Sequence, residues 1–133
     1  RPGDDGVDWL GDCPGERVAE LLSEADAFVM PSHFEAYGIV FAEALSCGVP
    51  CVGRDVCEMP HFICDGANGA LVQTDDSWEL SQAMLRCVRD SSIRAGAESG
   101  AGAARREYSW DAVADRIAEI VSYDQRLMGV ITQ

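Results

Sequence analysis

The stretch Pro31-Ser-His-Phe-Glu35-Ala-Tyr-Gly38-Ile-Val-Phe-Ala-Glu43 decides which fold and which function this sequence predicts. It follows the apolar residues 27–30, which have the character of a strand that is buried on both faces. An apolar helix is predicted over residues 38–47, and Gly48 ends it. A buried strand, a polar loop and a helix in this order form one unit of a parallel α/β sheet.

Strands and helices alternate along the rest of the chain. Other strands are predicted at residues 7–10, 50–52 and 69–72, and an irregular stretch precedes the last of them. Other helices are predicted after Pro14 and Gly15, from an N-cap at Ser77 to about residue 88, and from residue 110 to about residue 127. The register of the Gly- and Ala-rich segment 91–104 stays undecided. The pattern predicts one Rossmann-like α/β domain over residues 1–133.

The chain is strongly acidic. Its 10 basic residues are all arginine, and they stand against 23 Asp and Glu, which gives a formal charge of -13. Such a surface repels nucleic acid, which is therefore not expected as a partner. No apolar run approaches the roughly 18 residues that cross a bilayer, and no signal peptide is recognisable, so a cytoplasmic protein is expected. A phosphate site would have to use local donors or residues outside the chain.

The cysteine spacing argues against disulfides and metal. The six cysteines stand at positions 13, 47, 51, 57, 64 and 87, and no Cys-x-x-Cys pair occurs. Several lie in apolar stretches, as Cys47 and Cys51 do. We therefore expect reduced, buried cysteines that act as small hydrophobic residues, and no metal site.

Two acids and a glycine mark a candidate anion site. Because Gly38 opens a helix, the N–H groups of Gly38, Ile39 and Val40 are expected to be free beside Glu35. Glu43 is the one charge of an apolar helix, and a buried carboxylate needs hydrogen-bonding partners. Carboxylates suit sugars because each accepts two or more O–H bonds. The spacing alone leaves another interpretation open, in which one acid faces solvent and the other belongs to a loop.

The order of the motifs resembles the signature of the family 4 retaining glycosyltransferases. The resemblance lies in the strand, Pro-Ser, Glu-x-Tyr-Gly, a second Glu after seven intervening residues, and Ala-Leu-x-x-Gly-x-Pro. It continues in residues 65–72 and in Tyr108-Ser-Trp110. It implies a GT-B architecture of two Rossmann-like domains, of which this chain would be an incomplete C-terminal one. A sugar-nucleotide epimerase is disfavoured because this spacing of acids belongs to the transferases.

The resemblance also implies a role for each matching residue toward a nucleotide-sugar donor. Glu35 would contact the sugar hydroxyls at the catalytic centre, and Glu43 the ribose. The other donor-binding positions would be Ala36, Tyr37, the backbone amides of Gly38, Ile39 and Val40, and Gly11 near the base. The family needs no metal or cofactor, and the leaving phosphate helps to deprotonate the acceptor. Glu35 and Glu43 would then position the donor rather than exchange protons.

One segment departs from the family pattern. The sequence has Asp55-Val-Cys-Glu58-Met-Pro-His61 where the family has a glycine-rich turn followed by Pro-Glu. Glu58 brings negative charge toward the donor, and Arg54 is expected to be a further donor-binding residue, as the cation that offsets this charge. His61 is expected to close a turn, with a role as catalytic base as the alternative.

The resemblance finally implies missing parts. The family's C-terminal domain begins with two more βα units, which carry an arginine and a lysine for the diphosphate, and an N-terminal domain binds the acceptor. In the sheet order 3-2-1-4-5-6 the absent strands would separate strand 7–10 from strand 27–30. We therefore expect an inactive chain whose sheet closes differently or pairs in a homodimer. The alternative is a non-catalytic module for nucleotide binding or assembly.

Overall fold

A computed structural model describes the backbone of residues 6–131 and the side chains of residues 6–122. A three-stranded parallel sheet in the order β1-β2-β3 is flanked by helices. The elements in chain order are α1 (Gly15–Glu24), β1 (Phe28–Val29), α2 (Ile39–Ser46), β2 (Cys51–Arg54), α3 (Met59–Phe62), β3 (Gly69–Val72), α4 (Ser77–Arg89), α5 (Ser91–Glu107) and α6 (Trp110–Ile131). The predicted α/β class with a parallel sheet is confirmed.

The prediction of a strand over residues 7–10 is wrong. This segment contributes nothing to the three-stranded sheet, and the Trp9 side chain is 78% exposed. Its apolar side chains find no core to pack against, and burial is what would favour the extended form. The gap expected between this strand and β1 therefore has no counterpart in the sheet, which does not include residues 7–10. In the described part of the chain β1 pairs on one side alone and forms an edge.

Helix ends follow capping chemistry that differs in detail from the prediction. Asp76, not Ser77, caps α4, because its Oδ1 accepts from the Trp78 N–H at 2.9 Å. Asp90 caps α5 in the same way, which makes the undecided segment 91–104 a helix. The stretch expected to be irregular contains α3, whose first turn holds Pro60.

The core is divided between the two faces of the sheet because strand side chains alternate. On one face Cys51 joins a cluster around Phe41, Met59 and Ile63, and on the other Val52 joins a cluster with Ile93. This double burial explains why the strands are short apolar runs without polar alternation.

The cysteines fall into three environments, and Cys13 and Cys47 are half-buried. All six are unpaired, and Cys51 and Cys87 are buried. Burial raises the pKa of the Cys87 thiol to about 11 and raises the pKa of Cys51 as well, so both stay protonated at neutral pH. Cys57 and Cys64 are exposed, so the expectation of burial is wrong for these two.

The described residues contain no helix with both the length and the apolarity that a bilayer crossing requires. Among the same residues no three His, Cys, Asp or Glu side chains are grouped so as to hold a metal ion.

Candidate functional site

The carboxyl ends of the three strands bring three loops together, as expected for a parallel sheet. The loop after β1 carries Glu35, β2 ends at Arg54, and the loop after β3 carries Asp75. A cavity of about 260 Å³ opens between them and is lined by residues of all three, including Pro31 and Thr74. Glu35, one of the acids of the predicted anion site, lies in a loop at this edge of the sheet.

Glu35 is bound to the start of the next helix. Its Oε1 accepts from the Gly38 N–H at 3.0 Å and from the Tyr37 N–H at 3.4 Å. Gly38 has a φ of 81°, and a Cβ there would lie 3.0 Å from the Phe41 ring. A glycine is therefore required for both its conformation and its space. The expectation of a free Gly38 N–H is wrong because the Glu35 carboxylate occupies it.

The other two predicted amide donors lie at the start of α2. The first backbone bond of this helix runs from the Phe41 N–H to the Gly38 carbonyl at 2.9 Å. The N–H groups of Ile39 and Val40 precede it, where the amides of a helix have no carbonyl partner within the helix. The dipole of the helix adds positive potential at this end.

Glu43 lies on the exposed face of α2, although its neighbours Ala42 and Ala44 are buried. The expectation of a buried carboxylate is therefore wrong, and no desolvation cost has to be offset. Among the described residues no hydrogen bond or ion pair engages the Glu43 carboxylate. With Ile39, one turn earlier, it borders a cavity of about 430 Å³ between α1 and α2. The carboxylate is thus accessible to a ligand at the N-terminal half of α2.

The remaining predicted donor-binding positions are Ala36, Tyr37 and Gly11. Ala36 and Tyr37 are exposed beside Glu35, and the Tyr37 ring rests edge-on against Phe62 with centroids 5.8 Å apart. Gly11 lies in the exposed segment before α1, with no atom within 4 Å of the place a Cβ would take. The structure brings Ala36 and Tyr37 to the site, whereas the part of Gly11 in it stays a prediction.

Arg54 has partners that the sequence did not reveal. Its Nε donates to the Pro31 carbonyl at 3.4 Å, one terminal nitrogen donates to the Thr74 carbonyl at 2.9 Å, and the other lies 2.7 Å from Asp75 Oδ1. The expected compensation of Glu58 by Arg54 is wrong. Glu58 instead contacts His61, with 3.1 Å between Oε2 and Nδ1.

The loop after β3 is fixed by a residue that the prediction overlooked. Glu79 accepts from the N–H groups of Gln73 and Thr74 and, in a short contact, from the Thr74 hydroxyl. The hydrogen bond from the Thr74 side chain is the main cause that lowers the pKa of Glu79. Asp76 at the N-cap with Glu79 three positions later is a capping-box spacing, and this signal could have located the loop.

The turn that departs from the family pattern holds a strained residue. Cys57 has a φ of 53°, where a side chain costs about 1–2 kcal/mol, and it is exposed. We expect Cys57→Gly to raise the free energy of unfolding by roughly 0.5–1 kcal/mol. Glycine removes the conformational cost, and this gain exceeds the loss that comes from the greater entropy of glycine in the unfolded chain. Urea unfolding measures the change. Cys57→Ser keeps the Cβ and should behave as wild type, and a glycine variant no more stable than the serine variant would contradict the argument.

Comparisons with known proteins identify the family of the chain. The sequence profile of the family described as "Glycosyl transferases group 1" matches residues 2–101. The chain is 33% identical, over 81% of its length, to a D-inositol 3-phosphate glycosyltransferase of Thermomonospora curvata. It is 36% identical, over 86% of its length, to an alpha-maltose-1-phosphate synthase of Mycolicibacterium smegmatis. It spans 25% and 32% of these two relatives.

Solved structures show the same fold. Sucrose-phosphate synthase from Thermosynechococcus elongatus superposes with a TM-score of 0.77 at 26% identity, covering 90% of this chain and 30% of that one. Anabaena HepE in complex with UDP-glucose gives 0.69 at 25% identity, covering 78% and 29%. These likenesses confirm the GT-B type of fold expected from the motifs. The profile match and the relatives together establish that the chain belongs to the group 1 glycosyl transferases.

Proposed function

We propose that this chain forms the donor-binding part of a retaining glycosyltransferase, which moves a sugar from a nucleoside diphosphate to an acceptor hydroxyl. One observation carries the proposal. The start of α2 offers the amides of Ile39 and Val40 between a carboxylate before the helix and a carboxylate on its exposed face. The structure of the similar HepE with UDP-glucose supports a donor of this class.

Each group has a chemical task in this proposal. The amides of Ile39 and Val40 hold the diphosphate, with the helix dipole adding to the attraction. Glu43 accepts hydrogen bonds from the ribose hydroxyls, for which its exposed carboxylate is ready. Glu35 serves the sugar, because both of its described hydrogen bonds use Oε1 and leave Oε2 as an acceptor. The task of Gly11 near the base stays a prediction.

The two acids position the donor and do not exchange protons with it. In this proposal the leaving phosphate itself helps to deprotonate the acceptor, so placement and charge dominate the catalysis. Arg54 is engaged by Asp75 and does not supply the cation that a leaving diphosphate needs. We propose that the isolated chain is inactive for this reason, and that an acceptor domain and further cations complete the enzyme.

Calorimetric titration with UDP and GDP tests the proposal. We expect weak binding, with a Kd on the order of 1 mM, because few charged groups compensate the diphosphate. An assay of the purified chain with UDP-glucose should show no turnover, and any turnover would contradict the proposed inactivity. No binding at several times this concentration would favour the non-catalytic assembly module.

The partners and the location of the protein are part of the same proposal. The outer edge of β1 presents unpaired backbone groups, which suit strand addition by a second copy. Sedimentation would show this as a dimer, and a monomer would rule it out. A cytoplasmic location stays a prediction.

A further inference from the structure

One side chain joins the three loops at the carboxyl edge of the sheet. Arg54 ends β2, and its guanidinium contacts Pro31 in the loop after β1 and both Thr74 and Asp75 in the loop after β3. Its side chain is 11% exposed, whereas Asp75 is 71% exposed. Arg54 is thus an internal connector rather than a surface cation that awaits a ligand.

The geometry requires an arginine in particular. Each of the three contacts uses a different nitrogen, so the planar fork reaches two carbonyl groups and a carboxylate at once. A lysine at this position would keep the charge but would bring one nitrogen in place of three. Arg54→Lys therefore keeps the positive charge while it removes contacts between the loops.

The loop after β3, to which Arg54 binds, is itself held by hydrogen bonds. The three hydrogen bonds that Glu79 accepts hold Gln73 and Thr74 in place. The Gln73 side chain also donates to Asp55 Oδ2 at 3.3 Å, next to Arg54 on the chain. On the opposite side, His33 Nε2 lies 3.6 Å from Asp75 Oδ1 and adds a second contact between the outer loops.

The loop after β1 depends more on such a contact than α2 does. Pro31 stands four residues before Glu35, and Phe34 next to that acid is 76% exposed. The helix is instead held by the core, since Phe41 is fully buried and Leu45 is 6% exposed. A loosened Pro31 contact would leave Glu35 held only by its Oε1 bonds to the Tyr37 and Gly38 amides and so widen its range of positions, while the amides and the acid of α2 stay in place.

We infer that Arg54 is a positioning residue that sets the place of the Glu35 loop, and through it recognition of the sugar half of the donor rather than the nucleotide half. The inference rests on the proposed function. It assigns Arg54 no contact with the donor. The guanidinium acts through the Pro31 carbonyl, and Asp75 keeps it oriented.

The test compares Arg54→Lys with a matched control, Arg94→Lys. Arg94 also pairs with an aspartate, Asp26, at 2.8 Å, but it lies on α5 away from the three loops. Calorimetry gives the affinities of wild type and both variants for UDP and for UDP-glucose. We expect Arg54→Lys to weaken UDP-glucose binding about tenfold and UDP binding less than about threefold. Arg94→Lys should change neither.

Hydrogen exchange of the free chain adds a readout that needs no ligand. Arg54→Lys should speed exchange of the Gly38 amide, which donates to Glu35 Oε1 at 3.0 Å, about tenfold and leave the amides inside α2 unchanged, whereas global loosening would affect both. Asp75→Asn, a milder variant, should shift both readouts in the same direction and covers the case in which Arg54→Lys fails to fold.

The outcomes separate the two proposals. Equal weakening of UDP and UDP-glucose by Arg54→Lys, or no weakening of either, would overturn the role of Arg54 while the donor site stands. Unchanged exchange of the Gly38 amide would overturn it as well. If wild type binds neither ligand, the proposed function fails, and the role of Arg54 in sugar recognition fails with it.

Discussion

Gly69→Ala should lower the free energy of unfolding by more than about 3 kcal/mol, a large part of what a domain of this size has. Gly69 begins β3 and pairs with Cys51 of β2. A Cβ at Gly69 would lie 2.1 Å from the Cys51 carbonyl oxygen and 2.9 Å from Ile63 Cγ2. Because the oxygen belongs to the backbone of the neighbouring strand, relief requires that the strands separate in a close-packed core.

The matched control is the same substitution at Gly102. This residue lies in α5, and its Cβ would have no atom nearer than a side-chain nitrogen of Arg106 at 3.7 Å. Gly102→Ala should therefore stabilise the protein by about 0.5–1 kcal/mol, as alanine does in a helix. Urea unfolding of both variants gives the comparison. A free energy of unfolding of Gly69→Ala within about 1 kcal/mol of the wild-type value would contradict the prediction, because it would show that the strands move apart at little cost.

The elements that the sequence predicted well are those whose evidence is local. The strand at 69–72 coincides with β3 because a short apolar run between a glycine-containing turn and a polar loop favours a buried strand. The α2 helix agrees within one residue at each end, since Gly38 takes a left-handed conformation before it and Gly48 another after it. The motif that surrounds Glu35 and Glu43 also lies in this continuous segment, which is why the family could be recognised.

The errors concern contacts between distant segments. Residues 7–10 have the composition of a strand, but a strand needs a neighbour, which composition does not reveal. The Arg54 contacts span 20 residues to Thr74 and 23 to Pro31, and the nearby Glu58 therefore looked like the natural partner. The exposure of Glu43 depends on which face of α2 the neighbouring elements leave open. A helix with one charge does not indicate this by itself.

Glu43→Gln should weaken UDP binding about tenfold or more. A hydrogen bond to a charged group contributes about 1.5–3 kcal/mol, and glutamine keeps the shape of the side chain while it removes the charge. Stability should change by less than about 0.5 kcal/mol, because the exposed carboxylate has no described partner to lose. Calorimetry with UDP and urea unfolding measure the two effects separately.

Whether Glu43→Gln weakens or strengthens UDP binding distinguishes a direct contact of Glu43 with the nucleotide from the effect of the overall charge. The chain has a formal charge of -13, so removing one negative charge should strengthen the binding of any anion. Glu119→Gln on the exposed surface of α6 makes the same change of charge and should leave UDP binding unchanged or slightly tighter. Weaker binding by the Glu43 variant alone would run against this trend and therefore requires direct hydrogen bonds from the nucleotide. Equal or tighter binding in both variants would remove Glu43 from the donor site.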